Sequence, residues 1–127
     1  YETPQTLFAA QFNGSPSMNV FETTVVDKTL SVGAAIIPAN TKAQGPVTAG
    51  VRPEHIIADE NGPLSITVQM GEPLGANTLL HGRLGGTSDA FTISLPGVHH
   101  AVAGEVIRFS INSKHLHLFD IKTGRRI

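Results

Sequence analysis

LSITVQM, residues 64–70, is the stretch whose reading decides the fold. Leu64, Ile66, Val68 and Met70 alternate with Ser65, Thr67 and Gln69. A period of two puts the first set on one face of an extended strand and the second on the other. The same alternation recurs at Phe91, Ile93 and Leu95, and at Ile107, Phe109 and Ile111. Earlier runs, MNVFETTVV at 18–26 and TLSVGAAII at 29–37, are rich in β-branched and aromatic residues, which suit a pleated, half-buried surface. The breaks between these runs carry turn chemistry: Asn61-Gly62-Pro63, Gly85-Gly86-Thr87-Ser88-Asp89 and Ala103-Gly104. Seven to nine short strands at such spacing predict an all-β sandwich or small barrel, with two sub-blocks of strands meeting near residues 61–63.

One helix is expected, at the start. Thr3 supplies an N-cap hydroxyl and Pro4 the first helical position. Leu7, Phe8 and Phe12 then share a face at helical spacing. Asn13-Gly14 ends the helix and Ser15-Pro16 keeps it from resuming. The chain carries no initiator Met and no signal peptide there. It reads as the end of a preceding domain (1–16) followed by the β domain (17–127).

With 127 residues the chain buries a real core, roughly two thirds of what the unfolded chain exposes. A net charge of −1, one Tyr and no Trp argue against a nucleic-acid partner, which needs a basic face with stacking platforms. No apolar run approaches the roughly 20 residues of a membrane-spanning helix. The absence of Cys removes disulfides, a Cys nucleophile and Cys-ligated zinc.

The candidate chemistry is sparse. None of the four Lys follows a Gly, so there is no phosphate-binding Gly-Lys-Ser/Thr loop. Ser88 sits in a near miss to a nucleophile elbow, but a second Gly is lacking and a strand follows. A hairpin turn accounts for it. His115 and His117, two apart, could share a metal with Asp120, His99 or His100. The simpler expectation is a last strand whose Leu116 and Leu118 face the core. Lys122, Arg125 and Arg126 read as a solvated tail. The acids are dispersed near turns, with no paired carboxylates for acid–base work. AGVRPEHI, residues 49–56, is the remaining feature: Pro53 holds Arg52 extended and stiffens a corner that displays Arg52, Glu54 and His55. Such a corner suits either a self-satisfied structural turn or an interface.

Three stretches in this order, YETPQTLFAAQFNGSPSMN (1–19), GVRPEHI (50–56) and LHLFDIKTGRRI (116–127), resemble the ATPase subunits of carbohydrate-importing ABC transporters. MGEPLGANTLLHGRL (70–84) and HLHLFD (115–120) look most like the sn-glycerol-3-phosphate branch. The resemblance implies that 1–16 is the last helix of a nucleotide-binding domain plus a joint at Phe12, Gly14, Ser15 and Pro16. It implies that 17–127 is a regulatory domain of OB-like, TOBE-type β-barrels. It implies no catalytic, cofactor or metal residues in the chain itself, which lacks the ATP-binding motifs. ATP and Mg would belong to the nucleotide-binding domain of the parent subunit. Implied partners are a twin regulatory domain in a homodimer, the nucleotide-binding domain, the membrane subunits and an inhibitory regulator, at the cytoplasmic side of the inner membrane. Arg52, Pro53, Glu54 and His55, with the turn Gly75, Ala76 and Asn77, are the expected interface and regulatory residues. A second reading is a TOBE-like barrel that binds an oxyanion such as molybdate.

Overall fold

The computed structural model describes Thr6 and residues 17–127. The joint residues Phe12, Gly14, Ser15 and Pro16 and the expected first helix lie outside the described residues except for Thr6, which forms an antiparallel bridge with Arg125. The rest is all-β: ten strands, with two single-turn 3-10 segments as the only helical elements among the described residues.

Strands β1 (Asn19–Val26), β2 (Thr29–Val32), β3 (Ala35–Pro38) and β4 (Gly45–Val51) form one antiparallel sheet. It is completed by the last strand, β10 (His117–Phe119), in the order β10-β4-β1-β2-β3. Strands β5 (Ile56–Ala58), β6 (Leu64–Pro73), β7 (Asn77–Leu84), β8 (Ala90–Pro96) and β9 (Val106–Ile111) form the second, in the order β5-β9-β6-β7-β8. The run 29–37 is a hairpin, not one strand. It folds at Gly33, whose φ of 61° an L side chain tolerates poorly.

The main core lies between the sheets, with a small second cluster of Met18, Phe119 and Val20. Phe21, Val25, Leu30, Ile37, Val47 and Ala49 come from the first, and Ile66, Leu80, Phe91, Ile93 and Phe109 from the second. Phe91 stacks on Phe109 with ring centroids 5.4 Å apart and meets Phe21 across the sheets at 6.2 Å. The expected inward positions hold for Leu64, Ile66 and Val68, but Met70 is 57% exposed. A β-bulge between Val68 and Met70 inserts one residue and flips the alternation. Gly82 lies opposite Val68, where a Cβ would collide with the Thr67 carbonyl.

The sheets are joined along two margins, giving a nearly closed barrel. On one side Asn19, at the head of β1, donates from Nδ2 to the Thr92 carbonyl (2.7 Å). Its Oδ1 accepts the Thr92 amide (2.8 Å). One side chain thus stands in for a strand neighbour of β8. The turn at Gly33 rests against Gly85 and Gly86 of the β7–β8 turn on the same side. On the other side the chain crosses between sheets twice, after β4 and after β9.

Candidate functional site

The two crossings have the same build. Arg52 is extended (φ −76°, ψ 142°), as a residue before Pro must be, and Pro53–His55 makes one 3-10 turn. Asn112 is likewise extended (φ −74°, ψ 130°) ahead of the turn Ser113–His115. The His55 amide donates to the Arg52 carbonyl at 3.0 Å, and the His115 amide to the Asn112 carbonyl at 2.9 Å. Pro fixes the first turn. In the second the Asn112 side chain does the work, accepting the Lys114 amide at 3.1 Å. β4 pairs with β10 before the bend and β5 with β9 after it, so one two-stranded ribbon bends from sheet to sheet. At the bend the third residues of the turns meet. The His55 and His115 rings stack with centroids 4.0 Å apart and planes 19° from parallel.

The neighbourhood is crowded with nitrogen. Arg52 is only 3% exposed and His117 8%. Burial, then the charges of Arg126 and Arg52, and then His55 and His115, push the His117 imidazole down to about 4. Burial chiefly, with His55 and Lys114 adding to it, also lowers His115. Among the described residues the covered Glu54 carboxylate oxygens and His117 Nδ1 find no hydrogen-bond partner. A covered carboxylate left so is costly.

The structure sorts the sequence candidates as follows. Arg52 is buried rather than displayed. Pro53 is buried, and Glu54 and His55 are half-buried at the bend. Gly75, Ala76 and Asn77 form the β6–β7 turn elsewhere, with Gly75 at φ 84°. Their hydrogen bonds run to Leu74, Ser94 and Gly97. His115 lies in the second 3-10 turn instead of on a strand, so it does not share a face with His117. Leu116 and Leu118 do face the core. His99 pairs with Glu105 (3.2 Å), and Asp120 accepts the amides of Lys122 and Thr123. Among the described residues no three His, Asp or Glu side chains converge as a metal site. Ser88 lies in the turn between β7 and β8, where its carbonyl accepts from Arg83. The sequence reading missed the histidine stack and the Asn19 bracket. The repeated pattern of an extended residue, a turn and then His at 52–55 and 112–115 was the signal for the first; nothing local signals the second.

Comparison with known proteins places this geometry. Residues 49–119, more than half of the chain, match the TOBE domain, and residues 14–56 match the MalK OB fold domain. The chain therefore belongs to the TOBE domain family, and its all-β, OB-like barrel is the fold of that class. The two matches overlap at residues 49–56, the first crossing. The chain is 48% identical over 130 residues to the sn-glycerol-3-phosphate import ATP-binding protein UgpC of Ruegeria sp. (strain TM1040), covering 100% of this chain and 36% of that protein. The protein of the same name from Ruegeria pomeroyi is 46% identical over 129 residues with the same coverage, and that from Psychromonas ingrahamii 33% over 136. The chain spans about a third of the length of these relatives, in their C-terminal part.

Proposed function

We propose that the chain is the regulatory domain of the ATP-binding subunit of an ABC importer for sn-glycerol-3-phosphate or a sugar. The observation that carries this reading is the alignment of the whole chain with the C-terminal third of import ATP-binding proteins. In this reading residues 17–127 are the control module and 1–16 the end of a nucleotide-binding domain plus its joint. ATP and Mg act in that domain, and the chain itself carries no hydrolytic site. The subunit works as a homodimer held together through its regulatory domains, peripheral to the cytoplasmic face of the membrane and beneath the membrane subunits. An inhibitory regulator that favours one arrangement of the domains would act by population shift.

The ribbon bend (Arg52, Pro53, Glu54, His55) and the β6–β7 turn (Gly75, Ala76, Asn77) are the surfaces assigned to domain contacts. The unmatched Glu54 carboxylate favours the bend, since a donor brought by a neighbour would satisfy it. Exposed Leu74, whose amide bonds to the Asn77 carbonyl, and exposed Val98, next to the Gly97 whose amide reaches the Ala76 carbonyl, favour an association surface at the second site.

The test begins with the coding region upstream of Tyr1 and the whole product it specifies. That product should bind and hydrolyse ATP and dimerise. A version ending at residue 16 should keep nucleotide binding and lose the dimer at low nucleotide. Hydrogen exchange should slow at 52–55 and 75–77 on dimerisation. An upstream region without a nucleotide-binding domain sinks the reading.

A further inference from the structure

Three features of the second sheet have no part in the function proposed above: the bulge in β6, the imidazole of His81 and the Asn19 bracket on β8. They meet on the face turned away from the core. Up to Val68 the even positions of β6 point inward, and the bulge turns Met70 and Glu72 outward instead. Met70 then lies opposite His81 of β7, and Glu72 lies diagonally beside it, opposite Leu79. On the other flank His81 lies opposite Thr92 of β8. The Thr92 amide and carbonyl are both taken by the Asn19 side chain, so they point away from β7. His81 and Thr92 therefore form the closer, non-hydrogen-bonded kind of cross-strand pair. The result is a relay of hydroxyl, imidazole and carboxylate. His81 Nδ1 is 3.0 Å from Thr92 Oγ1, and His81 Nε2 is 3.0 Å from Glu72 Oε1. A carboxylate only accepts, so in the neutral ring Nε2 carries the proton, and Nδ1 is left to accept the Thr92 O–H. The His81 side chain is 34% exposed, so a reagent can reach the relay from solvent.

We propose that Thr92 is a covalent modification site, its hydroxyl a nucleophile that takes an acyl group from an activated ester or thioester. His81 is the general base, and Glu72 is the positioning residue that holds the base in the right tautomer. As Thr92 Oγ1 bonds to the acyl carbon, its proton passes to His81 Nδ1. As the donor's carbon–oxygen or carbon–sulfur bond breaks, that proton leaves with the alkoxide or thiolate, and the neutral ring returns. The Thr92 amide is already given to Asn19 Oδ1 (2.8 Å) and cannot hold the developing oxyanion. An aligned base is worth about 10²–10⁴ in rate, and an oxyanion donor that is lacking forgoes about 10²–10³. The balance selects donors that are already reactive, and it favours a single acylation of Thr92 over turnover of stable esters. The acyl group replaces the hydroxyl proton and so breaks the Thr92–His81 hydrogen bond, leaving a mark on the open face of the second sheet.

The experiment treats the whole protein with p-nitrophenyl acetate at neutral pH and follows acetylation by peptide mass spectrometry. Thr67, exposed on β6, is the internal comparison. Thr92 should acetylate at least about tenfold faster than Thr67. Thr92→Val should remove the acetyl group from that peptide. His81→Gln should slow the reaction at Thr92 at least about tenfold while Thr67 keeps its rate. Glu72→Gln leaves both reacting groups in place and should slow it about threefold or more, which keeps the relay testable if His81→Gln fails to fold. A purely structural role for these side chains would move Tm and leave the reactivity of Thr92 alone. Equal rates at Thr92 and Thr67 overturn the proposal. So does a Thr92 rate that neither variant lowers, or an acetyl group that stops on His81.

Discussion

Lowering the pH from 7.5 to 4.5 should weaken this fold through one side chain above all. His117 is buried at the bend, with Arg126 and Arg52 close enough to disfavour a further positive charge, and its folded value falls from the ordinary 6.5 to about 4. The unfolded chain binds this proton below pH 6.5, while the folded chain refuses it until about 4. Between those values the unfolded state holds more protons. Stability therefore rises with pH across this window, and the contribution is complete above it. The full gap corresponds to about 3 kcal/mol, a large part of the stability of a domain this size. Glu105 and Asp120, held below their ordinary values by hydrogen bonds to backbone amides, add losses lower on the scale. The assay is urea unfolding at half-unit pH steps for the parent and for His117→Gln. The parent should lose roughly 2–3 kcal/mol between pH 7 and 4.5 that the variant does not lose. Equal pH slopes in the two proteins would refute the placement of His117 as a buried neutral group.

Replacing Asn19 with Ala removes both bonds to Thr92 and should cost about 1–3 kcal/mol in urea unfolding; a change under about 0.5 kcal/mol would mean that β8 needs no bracket. Gly82→Ala drives a methyl into the Thr67 carbonyl at the bulge and should cost about 3 kcal/mol or more, read as a drop in Tm. His55→Asn should raise the titration midpoint of His115, followed by NMR of its ring protons, because the stacked imidazole is one of the groups that holds it down. An unmoved His115 would show that burial and Lys114 account for the whole shift.

Much of the barrel was legible because most of its strands bury one face and solvate the other. Alternation at 64–68, 90–95 and 106–111 follows directly from that, and Gly-rich turns mark where it stops. The alternation misled at Met70, since a bulge is a pairing event between Val68 and Gly82 that a single strand does not encode. It also blurred 29–37, where the turn is a lone Gly33 inside the otherwise apolar run 32–37. The site was legible in part. Pro53 announces a rigid corner, but burial of Arg52 and the meeting of His55 with His115 depend on a partner crossing some 60 residues away. Of the basic tail, Lys122 and Arg125 are exposed as expected, while Arg126 is half-buried in a bridge with Phe119 that the local sequence does not signal.

The strand order carries a consequence for how the molecule comes into being. β4 finds its outer neighbour in β10, so Thr48 waits for Phe119 before the first sheet is whole. All five strands of the second sheet are made in between. Such distant pairing slows folding, because the loop must close before the contact rewards it. Until β10 is made, the first sheet stands with an open edge at β4. The barrel closes through a strand that the chain reaches only after the whole second sheet has been laid down.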